Sequence, residues 1–172
     1  MLCEKLTDSD RGLLEQLAAF SVPELCDGAE VFRACLLYTS PSPRDQRVFS
    51  CAYWGDHRSY CARFQKAAGV VIDGAFRDLE GCEEVGFPVF ARGLACGSAQ
   101  KTGRGQINVP VSCGGVPVNP GDIIVGDVNG VCVIRPGEAG GVLTRAAKKA
   151  EAQRRTVQEM ERTGKLITKI LI

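Results

Sequence analysis

The stretch from Gly69 to Asp78, which reads Gly-Val-Val-Ile-Asp-Gly-Ala-Phe-Arg-Asp, constrains the fold more than any other part of the chain. It opens with an all-apolar, β-branched run, Val70 to Ile72, that is typical of a buried strand. Asp73-Gly74 predicts the end of that strand, because glycine adopts backbone angles that other residues avoid. A strand that delivers Arg77 and Asp78 onto a loop at its C-terminal end is a common way to build a site in an α/β protein. An ion pair that only solvates a loop is an equally ordinary interpretation of these residues.

Length, composition and charge narrow the class of protein. The 172 residues fit a single domain, and 45% hydrophobic with 24% charged residues is the composition of a soluble globular protein. A net charge of +1 produces no strong field for nucleic acid or an anionic membrane. No apolar run approaches the length of a membrane span, and Met1 to Lys5 does not begin a secretory signal. We therefore expect a cytoplasmic protein that binds neither nucleic acid nor membrane.

The chain has nine cysteines, an odd number with scattered spacing and no Cys-x-x-Cys pair. This pattern gives little support to a zinc site, and without a secretory signal a disulfide framework is not expected. Most of the cysteines are predicted to be small buried hydrophobes. A nucleophilic cysteine would want a histidine partner, and His57 is the single histidine of the chain. A Cys–His catalyst is therefore not predicted.

Helical patterns occur at both ends of the chain and directly after Asp78. Apolar residues at helical spacing, a capping-box sequence at Ser21 to Glu24 and glycines at Gly86 and Gly164 mark these helices and their ends. The thin apolar stripe of the last helix fits packing on the body, packing on a neighbouring subunit, or a solvated helix. The predicted helices are Thr7–Phe20, Ser21 to about Gly28, Leu79–Val85 and Glu138–Arg162.

Strand patterns fill the region between the helices. Gly114-Gly115 and Pro120-Gly121 mark turns, and Asn129-Gly130 predicts a hairpin turn. Gly93 to Gly105 is predicted to be a loop, and Lys165 to Ile172 an edge strand or docking tail. The predicted strands are Val70–Ile72, Phe87–Ala91, Ile107–Val111, Val116–Val118, Ile123–Val125 and Val131–Ile134.

The stretch from Cys35 to about Phe64 differs in composition from the rest of the chain. It contains the single Trp, the single His and all three Tyr residues. Thr39 to Asp45, with its two prolines, cannot form a helix or a central strand. The stretch is either a long loop or foreign or frame-shifted sequence, and we favour the second, because Leu36 to Asp45 resembles a translated sequencing adapter. We predict one domain over residues 1–172 in which residues 35–65 are aberrant.

Several motifs occur in a specific order after Ala67. They are Val70 to Asp78, Gly86 to Ala91, Asn108 to Val111, Gly114 to Val116, Pro120 to Asp122, Asp127 and Gly130-Val131. Together they resemble the RraA-like family. This family groups class II 4-hydroxy-4-methyl-2-oxoglutarate aldolases, which also decarboxylate oxaloacetate, with the regulators of ribonuclease activity A. The likeness is strong to about Pro136 and weak in the first thirty residues and the C-terminal helix.

The resemblance implies a fold and an assembly. It implies an α/β protein with a single β/β/α domain, a mixed sheet core, N-terminal helices and a long C-terminal helix. It also implies a homotrimer or hexamer with active sites between subunits. The implied activity is that of a metal-dependent lyase that releases pyruvate from a small oxo-acid, by retro-aldol cleavage or decarboxylation.

The resemblance also assigns roles to individual residues. Arg77 would bind the pyruvyl end of the substrate, and Asp78 would hold a divalent cation, Mg²⁺ or alternatively Mn²⁺, partly through waters. In family aldolases a Gly-Glu-Leu-Leu-like segment about twenty residues earlier cradles the substrate with backbone amides. The matching segment here is Gly55-Asp56-His57-Arg58. Only its glycine agrees, and the carboxylate of Asp56 could repel an anionic substrate.

A second departure concerns the position three residues after Asp78. The aldolases carry an acidic residue there, whereas this chain has Gly81, with Glu80 and Glu83 nearby. The rival hypothesis is a non-catalytic regulator that docks on a ribonuclease or another protein partner, since regulator-type members can also carry the Arg-Asp pair. A third is a degraded relative without a function of its own. Sensitivity to a metal chelator separates the lyase from the regulator.

Overall fold

The computed structural model describes residues 8–28, 34–35, 51–99 and 106–167. These residues form a mixed α/β domain with two N-terminal helices, three small sheets and a long C-terminal helix, which confirms the predicted fold class. The helices are α1 (Asp8–Ala18), α2 (Val22–Gly28), α3 (Asp56–Phe64), α4 (Leu79–Val85) and α5 (Ala139–Thr163), with a short 3₁₀ turn at Pro136–Glu138. No helix in the described part of the chain combines the length and apolar character needed to cross a membrane.

The strands pair in three separate sheets. One sheet is antiparallel with the order β1-β8-β7, one is parallel with the order β2-β3-β4, and the third is the antiparallel hairpin β5-β6. In the parallel sheet β3 is central, so the loop after β3 lies beside the loop after β2. The strands are β1 (Ala34–Cys35), β2 (Ala52–Trp54), β3 (Val70–Phe76), β4 (Val89–Leu94), β5 (Val111–Cys113), β6 (Val116–Val118), β7 (Ile123–Asp127) and β8 (Gly130–Ile134).

The main core lies between the antiparallel sheet and the helices α1, α2 and α5. We call it the helix-packed core, and its buried members are Leu17, Val22, Leu25, Cys26, Cys132, Ile134, Ala139, Val142 and Ala146. Burial of these side chains is the main favourable contribution to folding here. A smaller contact set joins the sheets, in which Val131 of β8 packs with Val71, Phe90 and Val116.

The helix predictions are confirmed, and their end signals have the expected physical basis. At the start of α2 the backbone N–H and the hydroxyl of Ser21 both donate to Oε2 of Glu24, each at 2.8 Å. These two bonds lower the pKa of Glu24. Gly86 and Gly164 end α4 and α5 in the left-handed backbone region, with φ of 64° at each, which glycine adopts without steric cost.

The apolar stripe of α5 is covered along only part of its length. Val142, Ala146 and Ala150 are buried in the N-terminal half of the helix. Val157, further along the same stripe, is 48% exposed. Packing on the body of the same chain therefore accounts for the first half of this helix.

The predicted end of the strand that precedes Arg77 is wrong. Asp73-Gly74 does not end the strand, because β3 continues to Phe76 with only a register irregularity between Ile72 and Ala75. Asp73 is held in the sheet by a hydrogen bond from the Gly114 N–H at 2.9 Å and by an ion pair with Arg92. A polar residue with two partners can remain in a strand. The Asp-Gly sequence therefore coincides with an irregularity in strand register and not with a turn.

Two further strand predictions are wrong in part. Residues 107–110 are not a strand, since Asn108 has a φ of 60° and β5 starts at Val111. Strand β4 is displaced towards its C-terminus and takes in Gly93 and Leu94, which were predicted to begin a loop. The hairpin of β7 and β8 is confirmed, with Asp127 paired to Gly130. Residues 100–105 and 168–172 lie outside the described residues, and residues 165–167 form no strand.

The stretch with the aberrant composition divides into two parts. Residues 36–50, including the adapter-like sequence, lie outside the described residues. Residues 52–64 form β2 and α3, and β2 pairs in parallel with β3. The foreign origin of residues 35–65 stays a prediction, but the part from Ala52 onward belongs to the sheet that carries Arg77 and Asp78.

The cysteines are less uniformly buried than predicted. Cys26, Cys82 and Cys132 are buried, as expected, whereas Cys61 and Cys96 are exposed. Burial raises the pKa of the Cys132 thiol to about 12. That thiol is therefore protonated and behaves as a core hydrophobe.

Candidate active site

Arg77 and Asp78 lie directly after β3, at the start of α4. The Arg77 Nε atom is 3.1 Å from Asp78 Oδ2, and the two side chains are 43% and 40% exposed. Asp78 is the residue before α4 and has left-handed backbone angles, φ 58° and ψ 49°, without a side-chain capping bond. Its carboxylate therefore does not cap the helix it precedes, and at 40% exposure it remains accessible to a ligand.

Gly55 approaches this pair from the neighbouring strand. A Cβ atom at Gly55 would lie 2.6 Å from Asp78 Oδ2 and 3.5 Å from Arg77 Cγ. The Gly55 φ of −167° is ordinary extended backbone, so glycine matters here through close approach: a side chain at this position would displace the Asp78 carboxylate. The parallel pairing of β2 with β3 creates this contact, and the Arg77 N–H donates to the Trp54 carbonyl at 3.1 Å.

The N-terminus of α3 begins immediately after Gly55. The first backbone N–H groups of a helix have no partner within it, and the helix dipole favours anions there. The Ser59 N–H closes the first turn by donating to the Gly55 carbonyl at 3.1 Å. The His57 N–H donates to Oδ1 of Asp56 at 2.5 Å, so this carboxylate already occupies one donor of the turn.

The side chains of His57 and Arg58 are directed to other partners. Arg58 Nη1 donates to the Tyr53 carbonyl at 2.6 Å. His57 Nδ1 lies 3.9 Å from the Cys61 sulfur, one helical turn away on the exposed surface of α3. The geometry therefore brings Gly55, Arg77 and Asp78 together, whereas His57 and Arg58 can contribute through their backbone.

Asp56 fills the space beside Gly81. A Cβ atom at Gly81 would lie 2.8 Å from the Asp56 Cβ and 3.0 Å from its Oδ2. An open groove of about 740 Å³ runs between α3 and α4, with Asp56, His57 and Tyr60 on one side and Gly81 on the other. A carboxylate from α3 is thus placed against the first turn of α4.

A family model described as RraA-like, Aldolase/RraA, matches residues 44–133. The chain belongs to the RraA-like family. A protein of Halalkalibacterium halodurans, named by prediction as a 4-hydroxy-4-methyl-2-oxoglutarate aldolase, is 46% identical over 108 residues, which make up 61% of this chain and 51% of that protein. The chain spans about half the length of the curated relatives that it matches first.

Two solved structures share the fold over most of the RraA-like chain. An uncharacterized protein of Pseudomonas syringae has a TM-score of 0.75 at 22% identity, covering 91% of this chain and 95% of that one. RraAS2 of Streptomyces coelicolor, described as an unusual member of the RNase ES inhibitor RraA family, has a TM-score of 0.66 at 20% identity, covering 94% and 100%. At these identities the likeness shows the fold alone.

The donor set of this RraA-like site suits a hard cation that keeps much of its water. Within the described ranges no three His, Cys, Asp or Glu side chains come together as a closed metal cluster. Mg²⁺ dehydrates reluctantly and is commonly bound through one or two carboxylates plus waters and substrate oxygens. The accessible carboxylate of Asp78 meets that requirement, whereas a structural zinc site would need more protein ligands.

Sequence patterns did not reveal the buried support beneath the site. Ser59, fully buried, accepts a hydrogen bond from the Trp54 indole at 2.8 Å, and Trp54 also stacks on Phe87 with ring centroids 6.2 Å apart. The Ser59 hydroxyl in turn donates to the Cys82 sulfur, and the Cys82 thiol donates to the Arg77 carbonyl. The one available signal was the single Trp of the chain next to Gly55; of its two partners, Ser59 is five residues away and Phe87 is distant in sequence.

Proposed function

We propose that this chain is a divalent-metal-dependent lyase that releases pyruvate from an oxo-acid with a pyruvyl unit. The candidate reactions are retro-aldol cleavage of 4-hydroxy-4-methyl-2-oxoglutarate and decarboxylation of oxaloacetate. Membership of a family that includes proteins named as aldolases supports the reaction class.

The observation that carries the proposal is the meeting of three different groups at the ends of β2 and β3. They are the guanidinium of Arg77, the carboxylate of Asp78 and the helix N-terminus that follows Gly55. A small oxo-acid with two carboxylates requires groups of these three kinds. They are a cation, a carboxylate that binds a metal, and a row of backbone N–H donors. An ion pair that only solvates a loop would not require a glycine pressed against its carboxylate.

Arg77 would hold the pyruvyl carboxylate and stabilise charge during the reaction. Its planar guanidinium presents several N–H donors, of which only Nε is engaged with Asp78 in the recorded ion pair. In retro-aldol cleavage the C3–C4 bond breaks and its electron pair forms a pyruvate enolate. The C4 hydroxyl loses its proton as it becomes a carbonyl, and C3 gains a proton. A donor that strengthens its contact as the enolate forms lowers the barrier.

Asp78 would hold the cation, which when bound would polarise the keto oxygen of the substrate as a Lewis acid. The left-handed backbone of Asp78 directs its side chain towards Gly55 rather than onto the α4 amides. The first turn of α3 would then receive the second carboxylate of the substrate through backbone N–H groups. For that, the Asp56 carboxylate must release the His57 N–H.

Asp56 offers an explanation for the missing acid at position 81. The resemblance leads us to expect an acidic side chain there, and the chain has glycine instead. The Asp56 side chain occupies the space next to the Gly81 Cα, so a carboxylate reaches the same locality from α3. We propose that Asp56 supplies the second acidic group of the site, either to the hydrated cation or to a bound water.

The assembly implied by the resemblance is part of the same proposal. Tyr53, Tyr60 and Phe64 project from β2 and α3 with 58%, 62% and 81% of their surface exposed. Large exposed apolar side chains beside a site are typical of a subunit contact. We expect a homotrimer or hexamer, which light scattering coupled to size-exclusion chromatography would measure.

The deciding experiment measures pyruvate release from each oxo-acid by the folded chain. The reaction is run with Mg²⁺, with Mn²⁺, and with excess chelator followed by re-addition of metal. We expect release that disappears with chelator and returns with metal. Release that is indifferent to chelator would contradict a metal-dependent lyase.

The same experiment tests the rival role. A folded oligomer that releases no pyruvate under any metal condition would exclude the lyase for this chain. The likeness to RraAS2 at 20% identity supports the fold but not a regulatory activity. A regulator would instead bind its protein partner with an affinity that chelator leaves unchanged.

A further inference from the structure

A directed chain of hydrogen bonds connects β2 to the carbonyl of Arg77. The indole N–H of Trp54 donates to Ser59 Oγ at 2.8 Å, and the Ser59 hydroxyl donates to Cys82 Sγ at 3.5 Å. The Cys82 thiol then donates to the Arg77 carbonyl at 3.6 Å. Each group gives its proton to the next, so the donors do not compete and successive bonds can strengthen one another.

Backbone bonds close this chain into a ring that passes through the Arg77 backbone. The Arg77 N–H donates to the Trp54 carbonyl at 3.1 Å, and the Cys82 N–H donates to the Asp78 carbonyl at 2.9 Å. The Arg77 backbone is therefore held at both ends: its N–H is bound by the Trp54 carbonyl, and its carbonyl is bound by the Cys82 thiol. Ser59 is the member that connects these two anchors.

The position of Ser59 makes it the sensitive member of the ring. Ser59 is the only fully buried polar residue in the described part of the chain. If its hydroxyl is removed, the indole N–H and the thiol both lose a partner where water has little access. A buried donor without a partner is strongly disfavoured, so the Trp54 ring must shift to give its indole N–H a new acceptor. The Cys82 thiol still donates to the Arg77 carbonyl, but its sulfur is no longer held by the Ser59 hydroxyl.

A small shift of the ring would directly change the positions of Arg77 and Asp78, the residues proposed to bind the substrate and the metal. Asp78 holds left-handed backbone angles that cost energy for a non-glycine residue, and no side-chain capping bond stabilises them. Two sets of contacts hold Asp78 in this conformation. They are the close contact with Gly55 and the ring of hydrogen bonds just described. Loosening the ring therefore allows Arg77 and Asp78 to relax away from the geometry in which both face Gly55.

We propose that Ser59 is a positioning residue, which fixes the orientation of Arg77 and Asp78 through Trp54 and Cys82. The inference rests on the proposed function for its effect on catalysis, but not for its effect on local structure. In metalloenzymes, loss of an outer hydrogen-bonding partner changes metal affinity or activity by about 10- to 100-fold. Because Ser59 acts through Trp54 and Cys82 and contacts neither side chain directly, we expect the lower end of that range, about tenfold, from Ser59→Ala, in kcat/KM and in the Mg²⁺ concentration for half-maximal activity.

The kinetic test uses variants that separate positioning from stability. Trp54→Phe keeps the stacking on Phe87 but removes the indole donor, and Cys82→Ala removes the final donor. Both should show the same kind of loss as Ser59→Ala, and the double variant Trp54→Phe/Ser59→Ala should lose no more than the worse single variant. Cys82→Ser, which restores a donor, should recover part of the activity lost in Cys82→Ala.

Val142→Ala is the control for a merely structural effect. Val142 is buried in the helix-packed core, away from the ring. Its truncation should lower the melting temperature at least as much as Ser59→Ala, with kcat/KM and the metal requirement unchanged once the folded fraction is accounted for. If Ser59→Ala behaves in the same way, Ser59 is only structural and the inference is wrong.

Hydrogen exchange provides a readout that does not depend on activity. In Ser59→Ala, the amides of the peptide from Phe76 to Cys82 should exchange about tenfold faster, as expected for loss of one buried hydrogen bond. In Val142→Ala the same peptide should exchange as in the wild type. Unchanged exchange in Ser59→Ala would overturn the inference, whereas absence of pyruvate release by the folded wild type would overturn only the proposed function.

Discussion

The helix-packed core and the Arg77–Asp78 site are built on opposite principles. Buried core members such as Leu17 and Leu25 are fully excluded from solvent. The side chains of Arg77 and Asp78 are 43% and 40% exposed, and the support beneath them is a ring of hydrogen bonds. The first region holds the fold by apolar burial, while the second holds two charges in position at a surface.

This difference has a physical consequence for variation. Apolar packing is non-directional, so a change in the helix-packed core alters the free energy of unfolding without altering any angle at the site. Hydrogen bonds and left-handed backbone angles are directional, so a change beside Arg77 alters geometry before it alters stability. The following predictions test that separation, from the largest expected effect to the smallest.

Asp78→Asn should lower turnover on the order of a hundredfold or more, by analogy with removal of one catalytic donor. Asn tolerates left-handed backbone angles well, so this variant keeps the backbone and removes only the charge, whereas Asp78→Ala would also strain it. The melting temperature should stay near that of the wild type, since the exposed ion pair contributes little to stability. Steady-state kinetics and thermal unfolding are the two measurements.

Arg77→Ala should cause a loss of similar size, and Arg77→Lys should be only partly active. Lysine keeps the charge of Arg77 but lacks the planar fork that holds a carboxylate with two bonds. Normal turnover in Asp78→Asn or in Arg77→Ala would refute the assignment of the site.

Leu25→Ala should have the reverse profile. Leu25 is fully buried in α2, so its truncation should reduce the free energy of unfolding by about 2–5 kcal/mol. Turnover of the folded protein at low temperature should be unchanged. Chemical denaturation and kinetics below the melting transition measure the two quantities. A fall in kcat at low temperature would show that the core and the site are coupled.

Gly55→Ala should reduce activity by about tenfold or more while the fold is retained. The new methyl group would meet Asp78 Oδ2 at 2.6 Å and displace the carboxylate, and small misplacements have large effects on catalysis. Gly12→Ala is the matched control, because a Cβ there meets nothing within 4 Å and alanine favours the helix α1. That control should be slightly more stable than the wild type and equally active.

Glu24→Gln should have the smallest effect, and one that depends on pH. The Ser21 backbone N–H and then its hydroxyl lower the pKa of Glu24 from its usual 4.5. A carboxyl with a lowered folded pKa stabilises the fold above its unfolded pKa and loses that contribution as the pH falls through the folded value. Because glutamine still accepts a hydrogen bond, the loss at pH 7 should be about 0.5–1 kcal/mol, the lower range for a capping residue.

The comparison for Glu24→Gln is made by thermal unfolding at several pH values. The difference from the wild type should shrink steadily below pH 4.5 and disappear once Glu24 is protonated in the folded protein. An equal difference at pH 7 and at pH 2 would refute the link to the Glu24 charge.

Local signals made much of the fold predictable from the sequence. The capping box at Ser21, the glycines that end α4 and α5, and the Asn129-Gly130 turn between β7 and β8 are each contained within a few residues. Helix caps and tight turns depend on nearest neighbours along the chain, so sequence alone identifies them. The order of motifs around Arg77-Asp78 was likewise sufficient to identify the RraA-like family.

Tertiary structure decided the features that depend on residues distant in sequence. Strand β3 runs through Asp73-Gly74 because Gly114, in the turn between β5 and β6, and Arg92 of β4 satisfy the Asp73 carboxylate. Parallel pairing places Gly55 so close to Asp78 that a larger residue would displace the Asp78 carboxylate, and no local sequence pattern indicates that contact.

The ring beneath the site is the strongest case of this dependence. The four residues of the ring belong to four different segments: Trp54 to β2, Ser59 to α3, Cys82 to α4 and Arg77 to the loop after β3. Their hydrogen bonds form only when β2, α3 and α4 have packed together. The sequence by itself determined which charged residues stand after the central strand. The packed structure determined how they are held, because directional contacts between distant residues form only once the chain has folded.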